Sequence, residues 1–216
     1  MRLLARCTRS NGGEDILKGR EGHLYLATGN KGKYAEATRI AAAFGVRLRR
    51  LARNKVEIQS NDLEEIACYA AKEASEATRR PVVVDDSGFF LHALGGFPGP
   101  YSSYVYRTIG NEGVLRLMGS VRERKAYFQT TVAFCTPSAR PVSFTGRVNG
   151  VLVRRPKGRH GFGFDPIFVP SEGDGRTFAE MRTNEKNLLS HRGRAFFEFF
   201  NWLTTRGELG YLRQVK

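Results

Sequence analysis

The chain has 216 residues, 41% of them hydrophobic and 26% charged, which is ordinary for a globular protein of one large domain or two closely packed lobes. It has no run near the roughly 18 apolar residues of a membrane span and no signal-like start, so we expect no membrane anchor and predict a cytoplasmic protein. Its three cysteines form no C-x-x-C pair, so we expect neither a disulfide framework nor a zinc site. The net charge of +14 favours anionic ligands in general, but the basic residues are dispersed, so no specific nucleic-acid surface is expected.

The N-terminal part of the chain predicts a flexible extension over 1–22, followed by a strand, a helix and a second strand. Leu24–Ala27 is a short apolar run typical of a buried strand. Helical spacing of apolar residues over Tyr34–Phe44 predicts a helix, which Gly45 ends. Val46–Leu51 indicates the second strand, with basic residues facing outward.

A second helix and a central strand follow. Leu63–Ala77 repeats apolar residues on one helical face, and Asn61 or Asp62 would cap its start. Val82–Val84 is a continuous apolar run, which is typical of a strand covered on both faces. Alternating strands and helices require crossover connections, so the sequence predicts an α/β fold.

The remaining elements are a hairpin and a final helix. Alternating aromatic and β-branched residues over Tyr127–Thr136 and Val142–Val153 predict a long antiparallel hairpin. Apolar residues from Ala195 to Leu203 form one helical face, and 206–216 is a tail. We therefore predict one domain over 23–205, a mixed twisted sheet with flanking helices and two lobes around a substrate cleft.

One candidate anion site lies between the first strand and the first helix, at Thr28-Gly29-Asn30-Lys31-Gly32-Lys33. Backbone N–H groups at a helix N-terminus attract anions, and the lysines add positive charge. The stretch does not have the spacing of a Walker A loop. Taken alone, it is equally compatible with a solvated turn.

A candidate metal site is Asp85-Asp86-Ser87-Gly88, directly after the predicted central strand. Ligands of α/β sheets bind at the carboxyl ends of strands, and carboxylates suit Mg²⁺ in phosphate chemistry. Gly88 would permit a sharp exit from the strand. The alternative is an ordinary solvated turn.

Two later segments carry aromatic and basic residues. In Gly161-Phe162-Gly163-Phe164-Asp165-Pro166, a ring could stack on a flat base, although Phe164 fits a core position better. Glu185-Lys186-Asn187 and Ser190-His191-Arg192 supply hydrogen-bond donors, but basic residues at helix ends are usually solvated.

Together and in this order, these segments resemble the inosine/xanthosine triphosphate pyrophosphatases, especially their archaeal and eukaryotic branch. The resemblance covers about Leu24 to Leu203. It rests on these stretches: Leu26-Ala27-Thr28-Gly29-Asn30 with Lys33, Val84 to Phe89, Ala93 to Ser102, Gly161 to Phe168, Thr177 to Met181, and Glu185-Lys186-Asn187 with Ser190-His191-Arg192.

The resemblance implies hydrolysis of ITP, dITP or XTP to the monophosphate and pyrophosphate, with Mg²⁺, in a homodimer. Asp86 would be the catalytic carboxylate and a metal ligand, with Glu57 as a second ligand and Asp85 in support. The residues implied at the triphosphate are Thr28, Asn30 and Lys33, together with Gly29, Lys31 and Gly32 of the same loop. Those implied around the base are Phe162, Asp165, Lys186, His191 and Arg192, with Ser87, Gly163 and Phe164 touching the substrate. Most members carry Tyr or Trp at the position of Phe164, so a polar contact from that ring is absent here.

Selectivity would come from the edge of the purine. Inosine and xanthosine present an oxygen at carbon 6, which Arg192 or a protonated His191 could reach with a donor, whereas adenine would leave two donors facing each other. The alternatives are a pyrophosphatase for pyrimidine or modified nucleotides and a non-catalytic nucleic-acid-binding protein. The chain carries no helix-turn-helix, zinc-finger or RNP-type signal for the latter.

Overall fold

The computed structural model describes residues 24–51, 56 and 58–205. The predicted extension over 1–22, the predicted tail over 206–216 and the candidate ligand Glu57 lie outside the described residues. The strands are β1 Leu24–Ala27, β2 Leu48–Leu51, β3 Val82–Leu91, β4 Pro98–Gly99, β5 Lys125–Cys135, β6 Val142–Leu152 and β7 Phe168–Pro170. The α-helices are α1 Lys31–Ala43, α2 Leu63–Thr78, α3 Ser102–Thr108, α4 Gly110–Leu117, α5 Thr183–Leu189 and α6 His191–Thr205.

All seven strands of the described part belong to one mixed sheet. The strand order is β2-β1-β3-β5-β6-β7, and β4 pairs with β3 off this path. β1 is parallel to β2 and β3, and the other pairs are antiparallel. The predicted mixed α/β class and the predicted hairpin, which is β5 and β6, are therefore confirmed.

Helices cover both faces of the sheet where its strands are apolar. Along β3, Val82 and Val84 pack with the alanines of α2, whereas Val83 packs with the phenylalanines of α6 and with α1. Such alternation is the two-residue period of a strand, and the small α2 side chains let that helix lie close to the sheet. A separate cluster around Phe89 and Phe128 buries the other end of β3 and β5 together with α3 and α4. The predicted two-lobed cleft stays a prediction.

The main correction concerns β3, which the sequence predicted to end at Val84. The strand continues to Leu91 because its antiparallel ladder with β5 runs without interruption from Val82↔Cys135 to Leu91↔Ala126. The segment from Asp85 to Gly88 is therefore strand and not a turn. A Cβ atom at Gly88 would lie 2.8 Å from the carbonyl oxygen of Gly99, so this glycine permits the approach of β4.

Other differences are smaller. α1 begins at Lys31, three residues before the predicted start, because the side chain of Asn30 caps it. α3, α4 and α5 were not predicted, since they are short and carry no long apolar period. In the part of the chain that is described, no helix is both long enough and apolar enough to cross a bilayer.

Candidate active site

The candidate residues of β3 lie at the carboxyl ends of the parallel strands of the sheet. β1 and β2 end at Ala27 and Leu51, and β1 pairs with β3 only through Tyr25↔Val82 and Leu26↔Val83. Asp85 and Asp86 consequently lie on β3 just beyond the end of its parallel neighbour. This edge is where open α/β sheets bind their ligands.

The loop after β1, residues 28–33, is held by its own side chains and is called the phosphate loop below. Asn30 Oδ1 accepts hydrogen bonds from the backbone N–H groups of Gly32 at 2.8 Å and Lys33 at 3.1 Å. Thr28 Oγ1 accepts one from the N–H of Asn30 at 3.2 Å. Asn30 is therefore an N-cap of α1, while Gly29, Asn30 and Lys31 remain exposed at the surface.

Lys33 turns back from α1 toward the central strand. Its Nζ donates to the carbonyl oxygen of Asp85 at 3.2 Å and lies 3.4 Å from Asp85 Oδ2. The side chain is 16% exposed, so the ammonium group stays at the edge of the buried interior. The first and second candidate motifs are thus in direct contact.

Beneath this contact lies a buried ionic network formed by three carboxylates and two further cations. Lys186 Nζ binds Glu36 Oε1 at 2.7 Å and Asp165 Oδ2 at 2.6 Å. Arg192 binds Glu36 Oε2 through Nη1 at 2.6 Å and Asp85 Oδ2 through Nε at 3.0 Å. With Lys33, three basic side chains meet three carboxylates, and this pairing offsets part of the cost of burying the charges.

The network shifts the pKa values of its members. Burial raises the pKa of Glu36, but Arg192 and Lys186 outweigh it and hold the carboxyl below its usual value. Burial also raises the pKa of Asp165, and Lys186 offsets only part of that effect. Arg192 has a raised pKa despite burial, because Glu36 and Asp85 favour its charge. The guanidinium is therefore a permanent cation.

Glu36 is the site residue that sequence reasoning missed. It lies on the buried face of α1 beside Ala37 and one turn before Ile40, and it is 3% exposed. A carboxylate in the apolar stripe of a helix needs a cationic partner, so the position of this glutamate among apolar residues could have indicated a buried ion pair. The partners could not be named from sequence, because Lys186 and Arg192 lie 150 and 156 residues further along the chain.

The glycine-rich segment joins the same network through Phe162 and Asp165. The N–H of Phe162 donates to Asp165 Oδ2 at 2.8 Å, and Lys186 Nζ lies 4.8 Å from the centre of the Phe162 ring. A Cβ atom at Gly32 would lie 2.4 Å from that ring, so the phosphate loop and the ring are in contact. Phe164 is 3% exposed and stacks on Phe89 at 5.1 Å, as its predicted core position requires.

His191, which the sequence predicts as an alternative to Arg192 for the donor to carbon 6, is buried in the structure. The ring is 3% exposed and stacks on Phe128 at 4.6 Å with an angle of 10°. Burial, and next the charges of Arg192 and Lys186, lower the pKa of His191 well below its ordinary value. This environment favours the neutral imidazole, and its buried Nδ1 has no hydrogen-bond partner among the described residues.

Comparison with known proteins identifies the family. The family model described as the Ham1 family matches residues 24–202. The chain belongs to the Ham1 family. A protein of Methanopyrus kandleri named dITP/XTP pyrophosphatase is 50% identical over 179 residues, which are 83% of this chain and 95% of that protein. A protein of the same name from Hyperthermus butylicus is 49% identical over 184 residues, covering 85% of this chain and 96% of its own.

Solved structures of Ham1 proteins share the fold. The Coxiella burnetii HAM1 protein matches with a TM-score of 0.75 and 29% identity, over 85% of this chain and 98% of its own. The Staphylococcus aureus Ham1 protein matches with a TM-score of 0.74 and 27% identity, over 86% of this chain and all of its own. The predicted resemblance is confirmed at the level of the family.

In this Ham1 protein, Asp86 and Ser87 lie on opposite faces of β3. Ser87 Oγ accepts a hydrogen bond from Arg192 Nη2 at 2.8 Å and lies 2.6 Å from Thr130 Oγ1. Asp86 is 8% exposed and, by strand alternation, shares the face of Val84. It lies next in sequence to Asp85, which binds Lys33 and Arg192 on the other face.

The donors for a divalent cation are only partly described. The described ranges contain no group of three His, Cys, Asp or Glu residues placed to hold a metal ion. Of the predicted ligand set, the structure describes Asp85, which binds Arg192 and Lys33, and Asp86. Mg²⁺ commonly takes only one or two protein carboxylates and completes its shell with phosphates and water, so a carboxylate such as Asp86 suits this ion, and the second ligand Glu57 stays a prediction.

Proposed function

We propose that this protein hydrolyses non-standard purine nucleoside triphosphates such as dITP, ITP and XTP to the monophosphate and pyrophosphate, and so removes them from the nucleotide pool. Relatives about half identical over more than four fifths of the chain carry the name dITP/XTP pyrophosphatase. The observation that carries the proposal is the buried network. It joins Lys33 of the phosphate loop to Asp85 of β3, and both to Lys186 and Arg192, more than 100 residues away.

Water attack at the α-phosphorus with pyrophosphate as the leaving group requires positioning and charge compensation. Lys33 stands at the end of the parallel strands, where its ammonium would neutralise charge developing on the leaving pyrophosphate. Asp86, the residue after Asp85 on β3, would orient the attacking water and accept its proton. Such acid–base contacts contribute about 10²–10⁴-fold to the rate.

Mg²⁺ is the proposed cofactor, with Asp86 and Glu57 as its protein ligands. When bound, the ion supplies positive charge to the phosphate oxygens. Asp85 would support the metal site through the chain's own cations, because it binds both Lys33 and Arg192.

Selectivity for a 6-oxo purine would rest on rigid donors. Lys186 and Arg192 are both 1% exposed and are bound by carboxylates, so the N–H groups that they have left can point in only a few directions. An oxygen at carbon 6 matches such donors, and the amino group of adenine does not. Phe162, which packs against the phosphate loop and lies near both cations, would supply a face for the flat base.

The reaction is tested by separating the products of dITP by ion chromatography, with Mg²⁺ and with an excess of chelator. We expect pyrophosphate and the monophosphate only when Mg²⁺ is present. Orthophosphate and the diphosphate would overturn the proposed reaction. A panel of ITP, XTP, GTP and CTP at equal concentration separates this specificity from that of a pyrimidine nucleotide pyrophosphatase.

Asp86→Asn is the matched variant for that experiment. The amide keeps the shape of the side chain but cannot accept a proton, so turnover should fall at least about a hundredfold while thermal stability stays near that of the wild type. Retention of more than about a tenth of the turnover would contradict the catalytic role of Asp86.

The proposed setting of the enzyme is a homodimer in the cytoplasm. Several large apolar side chains are exposed in the segment 97–117, which supports a protein interface formed by this segment. These side chains are Phe97, Tyr101, Tyr104, Tyr106, Ile109 and Leu117.

A further inference from the structure

Arg50, on the edge strand β2, is bound to the backbone of the phosphate loop. Its Nε donates to the carbonyl oxygen of Thr28 and its Nη2 to that of Gly29, both at 3.0 Å. The parallel register pairs Arg50 with Leu26, so the side chain reaches forward along β1 to the point where that strand ends. None of the motifs of the sequence includes this arginine.

These two bonds fix the orientation of consecutive peptide groups. The peptide between Gly29 and Asn30 is held at both ends, because its oxygen binds Arg50 and its N–H binds Thr28 Oγ1 at 3.2 Å. Asn30 in turn caps α1 through the N–H groups of Gly32 and Lys33. A chain of hydrogen bonds thus runs from Arg50 to the start of the helix that carries Lys33.

The same bonds have an electrostatic consequence. Carbonyl oxygens that point into an anion site repel phosphate, whereas backbone N–H groups attract it. Arg50 draws the oxygens of Thr28 and Gly29 toward its guanidinium, on the side of the loop that faces β2.

We propose that Arg50 is a positioning residue for triphosphate binding, which acts by holding the backbone of the phosphate loop. This inference rests on the proposed function for its effect on substrate. The fixed fork of the guanidinium is essential to it, because two donors on one planar edge reach two successive carbonyl oxygens. A lysine at this position keeps the charge but offers a single point of attachment.

The test compares Arg50→Ala and Arg50→Lys with the control Arg49→Ala. Arg49 is the neighbouring exposed arginine on the same strand, and it lies opposite Tyr25 in the register, so strand alternation turns it to the other face of β2. For both Arg50 variants we expect the KM for dITP to rise at least about tenfold with a smaller change in kcat, since a displacement of about 1 Å in a binding site can cost about 10²-fold. Inhibition by inorganic pyrophosphate should weaken in parallel, whereas inhibition by inosine, which has no phosphate, should not.

Hydrogen exchange of the backbone over residues 28–34 supplies a readout that needs no activity. Both Arg50 variants should exchange about tenfold faster there than Arg49→Ala and the wild type. If Arg50→Lys keeps the wild-type KM, or if Arg50→Ala matches Arg49→Ala in both measurements, the positioning role is overturned. If exchange accelerates as expected but the wild type releases no pyrophosphate from dITP, the proposed function fails and the role of Arg50 in the loop stands.

Discussion

His191 shows how burial decides what a single side chain of the site can do. The residue belongs to a segment that the sequence links to base binding, and a positively charged imidazole would suit a 6-oxo purine. In the structure, desolvation and the charges of Arg192, Lys186 and Lys33 all lower its pKa. A neutral ring stacked on Phe128 can donate from only one nitrogen, so the permanent cations supply the positive charge of this region.

This arrangement predicts a specific dependence of stability on pH. The unfolded chain binds a proton at His191 near its ordinary pKa of 6.5, and the folded chain does so only at lower pH. The stabilising contribution of the neutral ring is therefore complete above pH 6.5 and is lost as the pH falls, by about 1.4 kcal/mol per pH unit. We expect His191→Phe to reduce the fall in unfolding free energy between pH 7.5 and 5.5, as measured with urea. His160→Phe, at an exposed ring, is the control and should keep the wild-type slope.

At the scale of elements, helix α6 links the core to the site. Phe196, Phe199 and Phe200 are fully buried against the sheet, and the same helix begins with His191 and Arg192. Burial of the phenylalanines thus determines where the guanidinium enters the ionic network.

A pair of neighbouring phenylalanines on α6 tests this view. Phe199 is fully buried, with ring contacts to Phe134 and Phe144, whereas Phe197 is 55% exposed. Phe199→Ala should lower the free energy of unfolding by about 3–5 kcal/mol, because it leaves a cavity in the core. Phe197→Ala, which loses mainly a contact with Phe44, should cost about 1 kcal/mol. Equal losses in urea denaturation would show that the aromatic face of α6 is not what anchors the helix.

The periodicity of apolar residues predicted the elements whose pattern lies within the element itself. It was wrong where pairing with a distant segment determines the secondary structure. α2, the β5–β6 hairpin and α6 have long apolar repeats and were recognised. The residues from Asp85 to Gly88 are typical of a turn, but pairing with β5, more than 40 residues away, keeps them in a strand. The order of the motifs likewise predicted that Lys33 and Arg192 belong to one site. Glu36 and Arg50 were not predicted, because their contacts are not part of any short motif.

For the whole molecule, the ionic network and the excess of positive charge are separate features. Three cations and three carboxylates balance within the network, so the net charge of +14 resides elsewhere in the chain. A surface this basic would repel a second copy at long range, and this repulsion weakens within about 10 Å at moderate salt. Association therefore requires a short-range apolar contact, for which the exposed side chains between Phe97 and Leu117 are suited.

Tyr104 is the most exposed aromatic residue of that surface, at 62%, and lies on α3. If the surface is the dimer interface, Tyr104→Glu places a charge in an apolar contact and should shift the protein toward a monomer of 24.2 kDa. The wild type should sediment at about twice that mass. Leu188→Glu changes an apolar side chain that is 83% exposed on α5 and should leave the mass unchanged.

Since repulsion between basic chains is screened by salt, a true dimer should also tighten as ionic strength rises. A wild-type protein that remains monomeric at high salt would exclude the homodimer.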